Sequence, residues 1–269
     1  MGRDARASAA VSSEPLILIP PSEGKAPGGD GPPWSPGTMA VDLDARRQKV
    51  MSALRTAMRA NEATRSKLLG VKGTALAAAT DANRSVGDGP TMAASQRFTG
   101  VLYDALDLPS LSTRPRRRAQ ERLLVLSAVF GLVAPDDPIP DHKLKMSVSL
   151  GRMGKLSTWW RDAVSAAVVE RADGQAVWNL LPNEHAAAVV LGDVAQHTVT
   201  FLEPNASGAL VAVAHWNKLL KGALVRLLLE EPHITAADLA DWEHPEGFVL
   251  DPARTTTDGA VTTLRLVHR

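Results

Sequence analysis

Ser22, Glu23 and Lys25 stand in the run Pro20-Pro21-Ser22-Glu23-Gly24-Lys25, directly after the four apolar residues Leu16-Ile17-Leu18-Ile19. Glutamate can move protons, lysine offers a point positive charge, and glycine lets backbone amides approach an anion. The run lacks the Gly-x4-Gly-Lys-Ser/Thr spacing of a nucleotide P-loop, so it is not one. Two further apolar runs break into polar loops in the same way. Residues 123–130 include Ser127 and lead to Pro135-Asp136-Asp137-Pro138-Ile139-Pro140-Asp141-His142-Lys143. Residues 176–181 include Asn179 and lead to Pro182-Asn183-Glu184-His185. In open α/β sheets ligands sit beyond the carboxyl ends of strands, where such loops converge. The three loops together are therefore expected to line one pocket, although any one of them alone reads better as an ordinary turn. Glu23 and Glu184 form a candidate acid/base pair of the kind that cleavage of a glycosidic bond needs, with Ser127 as the third catalytic candidate. Ser22, Lys25, His142, Lys143, Asn179 and Asn183 are the candidate ligand-binding residues.

A second group of residues is basic. Lys218 and Lys221 lie three apart on one helix face and join the candidate ligand-binding set. Arg114, Arg116, Arg117 and Arg118 cluster where a helix is expected to begin, a place mildly unfavourable for positive charge. They suit a phosphate or acidic partner, or simply a solvated surface. Leu69-Gly70-Val71-Lys72-Gly73-Thr74-Ala75 resembles a helix-hairpin-helix turn, in which amides at a helix start grip a DNA phosphate. Its Gly-Val-Lys-Gly is longer than the usual Gly-x-Gly, and a plain turn between helices fits it as well. With Lys72, the four arginines make up the candidate DNA-binding surface. None of the histidines at 142, 185, 197, 215, 233 and 244 pairs at helical ligand spacing, and the sequence has no cysteine. No metal or cofactor is expected.

The elements that must position these residues follow from hydrophobic periodicity. Strands are expected at 16–19, within the apolar run 123–130, and at 176–181, 189–191, 199–202, 210–214, 248–250 and 264–268. A Gly/Pro-rich loop covers 27–37. A helix over 42–60 should bury Val50, Leu54, Ala57 and Met58 and turn its arginines outward. Further helices are expected over 74–80, 157–171, 215–230 and 236–241. Phe98, Val101, Leu102, Ala105 and Leu106 have helical spacing, and Thr113-Arg114-Pro115 reads as a helix start. The tryptophans, Trp159 and Trp160 among them, read as core anchors. Residues 1–15 read as a mobile extension, and 16–269 as one compact α/β or α+β unit.

Composition narrows the classes. The 269 residues are 45% hydrophobic, enough for one large core. Thirty basic against twenty-nine acidic side chains argue against a protein that coats nucleic acid wholesale, though local patches still bind phosphates. Without cysteine there is no disulfide, thiolate metal site or cysteine nucleophile. No apolar run approaches a membrane span, and a cytoplasmic location is expected.

The order of motifs resembles the peroxide stress protein YaaA family. The resemblance rests on strand-Pro-Ser-Glu-Gly-Lys-Ala-Pro-Gly-Gly-Asp-Gly-Pro-Pro, Arg97-Phe98-Thr99-Gly100-Val101-Leu102-Tyr103, and Leu126-Ser127-Ala128-Val129-Phe130-Gly131-Leu132. Pro138-Ile139-Pro140, Trp160, Asn179-Leu180, Asn183-Glu184, the segment 218–222 and Glu246-Gly247-Phe248 continue it. It implies an α/β fold, a mixed sheet flanked by helices in a single compact domain with a helix-hairpin-helix-like element and a basic cleft. It also implies DNA binding through that cleft and protection against peroxide stress. Carried over by residue, it favours Ser22, Glu23, Lys25, Ser127, Lys143, Asn179, Glu184, Lys218 and Lys221. Beside this stands the reading from the loops: an enzyme acting on a small nucleotide or nucleobase-like substrate, with hydrolysis of an N-glycosidic bond as the first reaction class.

Overall fold

A computed structural model describes residues 14–213 and 216–269. β1 (Leu16–Ile19) leads through a long loop to α1 (Asp44–Ala57), α2 (Glu62–Leu69) and α3 (Gly73–Arg84). β2 (Thr91–Ala93), α4 (Ala94–Arg97), α5 (Val101–Leu106) and α6 (Thr113–Arg122) precede a hairpin of β3 (Leu123–Ser127) and β4 (Gly131–Val133). Then come β5 (Pro138–Pro140), α7 (Leu156–Ala172), β6 (Val177–Asn179), α8 (Asn183–Ala186), β7 (Gln196–Pro204) and β8 (Leu210–Ala212). The chain finishes with α9 (Asn217–Glu230), β9 (Phe248–Leu250), β10 (Thr256–Asp258) and β11 (Val261–His268).

Nine of these strands build one mixed sheet in the order β10-β11-β7-β6-β1-β3-β4, with β8 on β7 and β9 on β11. The central run from β11 to β3 is parallel, and the outer pairings are antiparallel. β2 and β5 form a separate antiparallel pair. β1 lies between β3 and β6, so all four of its side chains are almost fully buried. A strand covered on both faces reads as a continuous apolar run, which is why 16–19 shows no alternation. From β1 the chain passes to β3 on one side, then crosses back to β6 on the other and continues outward to β7. Connections leaving β1 and β6 in opposite directions open a crevice at their carboxyl ends.

This is the single α/β domain expected from the sequence, with local corrections. The segment 189–191 is not a strand. Two of its amides are taken outside any strand ladder, that of Val189 by the nearby Ala186 carbonyl and that of Val190 by the Ser165 hydroxyl on α7. The apolar run 123–130 splits, because Ser127 Oγ accepts the amides of Val129 and Phe130 and turns the chain into β4. Phe98 does not belong to α5: its backbone is extended and bridges Lys25. The helix expected at 236–241 is one short 3-10 turn, Asp238–Ala240.

Trp34, Trp160 and Trp178 are buried, while Trp159, Trp216 and Trp242 pack half-buried against the core. The outward arginine face of α1 is also corrected, since Arg47 is fully buried. Its guanidinium donates to the carbonyls of Phe130 (2.9 Å), Val41 (2.7 Å) and Leu132 (2.9 Å) and pairs with Asp44 at 2.7 Å. Ala214, His215 and most of the expected extension lie outside the described residues. Among the described residues no helix is long and apolar enough to cross a membrane.

Candidate functional site

The loops after β1, β3 and β6 meet around a cavity of about 240 Å³. The first loop brings Ser22, Glu23 and Lys25, the end of β3 brings Ser127, the segment after β5 adds His142, Lys143 and Lys145, and the loop after β6 brings Glu184 and His185. Lys218, on the first turn of α9, closes the ring. Four lysines face two glutamates, so the wall is net positive and suits an anion. A second depression of about 210 Å³ shares Ser22, Glu23 and Lys218 with the first and extends toward Tyr103.

Each wall is fixed by identifiable contacts. The Ser22 hydroxyl donates to the Thr99 carbonyl, and Tyr103 donates to Pro20 O at 2.8 Å. Arg97 is fully buried and donates to the carbonyls of Ala26, Gly28 (2.8 Å) and Ile139 (3.4 Å), tying the β1 loop to β5. Trp160 Nε1 holds the turn after Ser127 through Ala128 O at 2.9 Å. Asn83, buried on α3, makes two bonds to the backbone of Lys143, both 2.8 Å. It thereby clasps the segment that presents Lys143 and Lys145. α5, which carries Tyr103, lies directly on α9, which carries Lys218. At their crossing a side chain on Gly222 would lie 2.3 Å from the Leu102 carbonyl, so only glycine permits this approach.

The electrostatics separate the groups. Burial pulls the Lys25 ammonium down to about 8; Lys143 and Arg97 push the same way, and Asp141 and Glu23 oppose. Lys25 Nζ donates to Ser22 O at 3.1 Å and sits 5.7 Å from the Phe98 ring centre. His142 is buried between the edges of Phe98 and Phe130. Burial, with Lys25 adding to it, holds its pKa well below the usual imidazole value. Its Nδ1 lies 2.9 Å from Pro140 O, and a carbonyl only accepts, so Nδ1 carries the proton and Nε2 the lone pair. Burial also lowers His185, against the pull of Glu184. Glu184 itself accepts the Ser147 amide at 3.2 Å.

Of the residues expected at the site, Ser22, Glu23, Lys25, Ser127, His142, Lys143, Glu184 and Lys218 line this one cavity. Asn179, Asn183 and Lys221 do not. Asn179 accepts the Leu181 amide and donates to Gln196, so it braces its own turn. Asn183 is the exposed first residue of α8. Lys221 Nζ donates to Leu180 O at 2.9 Å, and burial pulls its pKa to about 8; it ties α9 to the β6 loop from behind.

The arginines stand apart from the cavity. Arg118 pairs with Glu14 at 2.9 Å, Arg117 with Glu121 at 3.8 Å, and Arg116 donates to Pro109 O, while Arg114 is exposed. Lys72 is the exposed N-cap of α3, in a turn that Gly70 enters in the left-handed conformation. Sequence reasoning missed Lys145, Arg97 and Asn83. Lys145 was within reach, because Lys143-Leu144-Lys145 in extended chain puts both lysines on one side. Arg97 was marked only as the first residue of one motif of the resemblance, and nothing local marks Asn83. Among the described residues no group of three or more His, Asp or Glu converges as a metal site.

An α/β domain with a polar, cationic pocket at the carboxyl ends of three parallel strands is thus defined. The chain belongs to the peroxide stress protein YaaA family, whose model matches residues 16–254. It is 37% identical to a UPF0246 protein of Streptomyces coelicolor over 216 residues, covering 80% of this chain and 82% of that one. A UPF0246 protein of Corynebacterium glutamicum is 32% identical, covering 88% of this chain and 94% of its own. One from Corynebacterium efficiens is also 32% identical, over 94% and 99%.

Proposed function

We propose that the cavity binds a small phosphorylated or nucleobase-like ligand and acts on it, in a protein of the peroxide-stress family. The observation that carries this is the joint lining of one open cleft by Lys25, Lys143, Lys145 and Lys218 with Glu23, Glu184 and His142. The lysines hold the anion, Glu23 or Glu184 serves as general acid/base, and Ser127 orients the ligand. Ser127 supports that role: its oxygen already accepts two amides, which directs its own proton away from the turn. Hydrolysis of an N-glycosidic bond is the reaction class that two carboxylates beside an anion site favour. Incubation with a panel of nucleotides and nucleosides, read by release of free base, tests it. Glu23→Gln or Glu184→Gln, whichever removes the acid/base, should lower turnover by about 10²–10⁴-fold, the usual worth of such a group. Unchanged turnover in both variants removes the assignment.

A second reading, DNA binding through the basic cleft, has one specific support. The side chain of Lys145, which lines the cavity, passes within 3.8 Å of where a Cβ on Gly70 of the α2–α3 turn would stand. The hairpin and the cavity therefore adjoin, and exposed Lys72 extends the positive surface. Three of the four clustered arginines are held by contacts within the protein, so the hairpin is the stronger half of this surface. Binding to a random-sequence duplex should fall steeply with salt, and Lys72→Ala should reduce the slope by about one. No affinity for duplex at low salt would dispose of this reading.

A further inference from the structure

We infer that Lys25 is an amine nucleophile that forms an imine with an aldehyde-bearing sugar phosphate held in this cavity. The inference rests on the cavity being an anion site, as proposed above, and gives Lys25 a task distinct from charge. Lys143, Lys145 and Lys218 already supply three cations to the same space. Among the described residues Lys25 has no carboxylate within ion-pair distance; the one hydrogen bond of its ammonium there is to the Ser22 carbonyl, and its Nζ lies toward the Phe98 ring. With its pKa near 8, roughly a tenth of its molecules carry the free amine at pH 7. Burial is the leading cause, and the neighbouring charges are mixed: Lys143 and Arg97 favour the amine, Asp141 and Glu23 the ammonium.

Imine formation also needs a proton acceptor beside the amine. His142 lines the same cavity, and both groups pack against one ring: its own ring centre lies 6.4 Å from that of Phe98, and Lys25 Nζ 5.7 Å from it. Because its Nδ1 proton is committed to Pro140 O, the ring offers only the Nε2 lone pair. The step balances as follows. Lys25 Nζ attacks the aldehyde carbon, His142 Nε2 takes one amine proton, and the ring hands that proton to the carbonyl oxygen, which becomes a hydroxyl. That hydroxyl then leaves, so both amine protons and the aldehyde oxygen depart as one water and a C=N bond remains. Size restricts the ligand: about 240 Å³ falls below the ~300 Å³ at which drug-sized pockets begin. An open-chain pentose phosphate fits this scale; a dinucleotide does not.

Sodium cyanoborohydride trapping on the full chain tests this, with ribose 5-phosphate and an abasic-site duplex as separate probes. The expected result is one adduct, mapped by mass spectrometry to Lys25, while exposed Lys49 and Lys67 stay unmodified. Ribose without its phosphate should label about tenfold more slowly, the effect of roughly 1.4 kcal/mol of anion binding. Trapping of ribose 5-phosphate alone assigns a free metabolite, and trapping of the duplex alone assigns a DNA sugar. Lys25→Arg, whose folding is checked by its thermal transition, keeps the charge and should abolish the adduct. Label spread evenly over surface lysines, or undiminished in Lys25→Arg, overturns the inference. Calorimetry with inorganic phosphate on the unsubstituted protein separates the layers. Phosphate bound without trapping refutes the nucleophile alone, whereas no phosphate binding refutes the anion site and the nucleophile with it.

Discussion

Arg47→Met should lower the stability of the protein by about 3–5 kcal/mol, a large effect for one side chain on a helix. Methionine fills most of the same volume but donates no hydrogen bond. Three carbonyls, those of Val41, Phe130 and Leu132, would be left in the core without their donor, and Asp44 would lose its cation. Each unsatisfied buried acceptor costs roughly 1–3 kcal/mol. At about 2–4 °C per kcal/mol for a domain near this size, the melting temperature should fall by roughly 10 °C. A thermal transition unmoved by the change would mean that the staple between α1 and the β3–β4 hairpin contributes nothing.

Arg97→Met should have the second largest effect, and a different signature. Arg97 also serves three carbonyls, but two of them, of Ala26 and Gly28, belong to the loop that carries Ser22, Glu23 and Lys25, and the third, of Ile139, to β5. A loss of about 2–4 kcal/mol in stability should come with a fall in phosphate affinity larger than the same loss at Arg47 produces. Arg97→Lys should not restore either, because a single ammonium cannot reproduce the spread of the guanidinium fork. Paired calorimetric and thermal measurements check both. Equal phosphate affinity in the Arg47 and Arg97 variants would show that loop position does not depend on Arg97.

The two arginines also mark the limit of what the chain discloses on its own. The central strands were legible because burial on both faces leaves unbroken apolar runs at 16–19 and 123–127. α7 and α9 were legible from helical periodicity. The polar loops after β1, β3 and β6 could be expected to converge, since parallel strands must send their carboxyl ends to one edge of the sheet. What stayed hidden depends on distant partners. Arg47 and Arg97 look like surface residues until carbonyls more than forty positions away enclose them. Val189-Val190-Leu191 looks like a strand until the Ser165 hydroxyl claims its amide. β2, β4 and β5, at three residues each, are too short to show a period. Asn179 and Lys221 have the right chemistry and the right neighbourhood, yet their polar atoms are spent on their own turn and on the Leu180 carbonyl.

The clasp between Asn83 and the backbone of Lys143 joins two regions that the sequence keeps sixty positions apart. α3 begins at the hairpin and ends at this clasp, while the segment it holds presents two cavity lysines. A ligand that shifts this segment and a ligand that shifts α3 act on one shared joint. If occupancy at either place alters affinity at the other, thermodynamic linkage requires the change to be equal in both directions. Asn83 would then set the strength of that conversation while touching neither ligand.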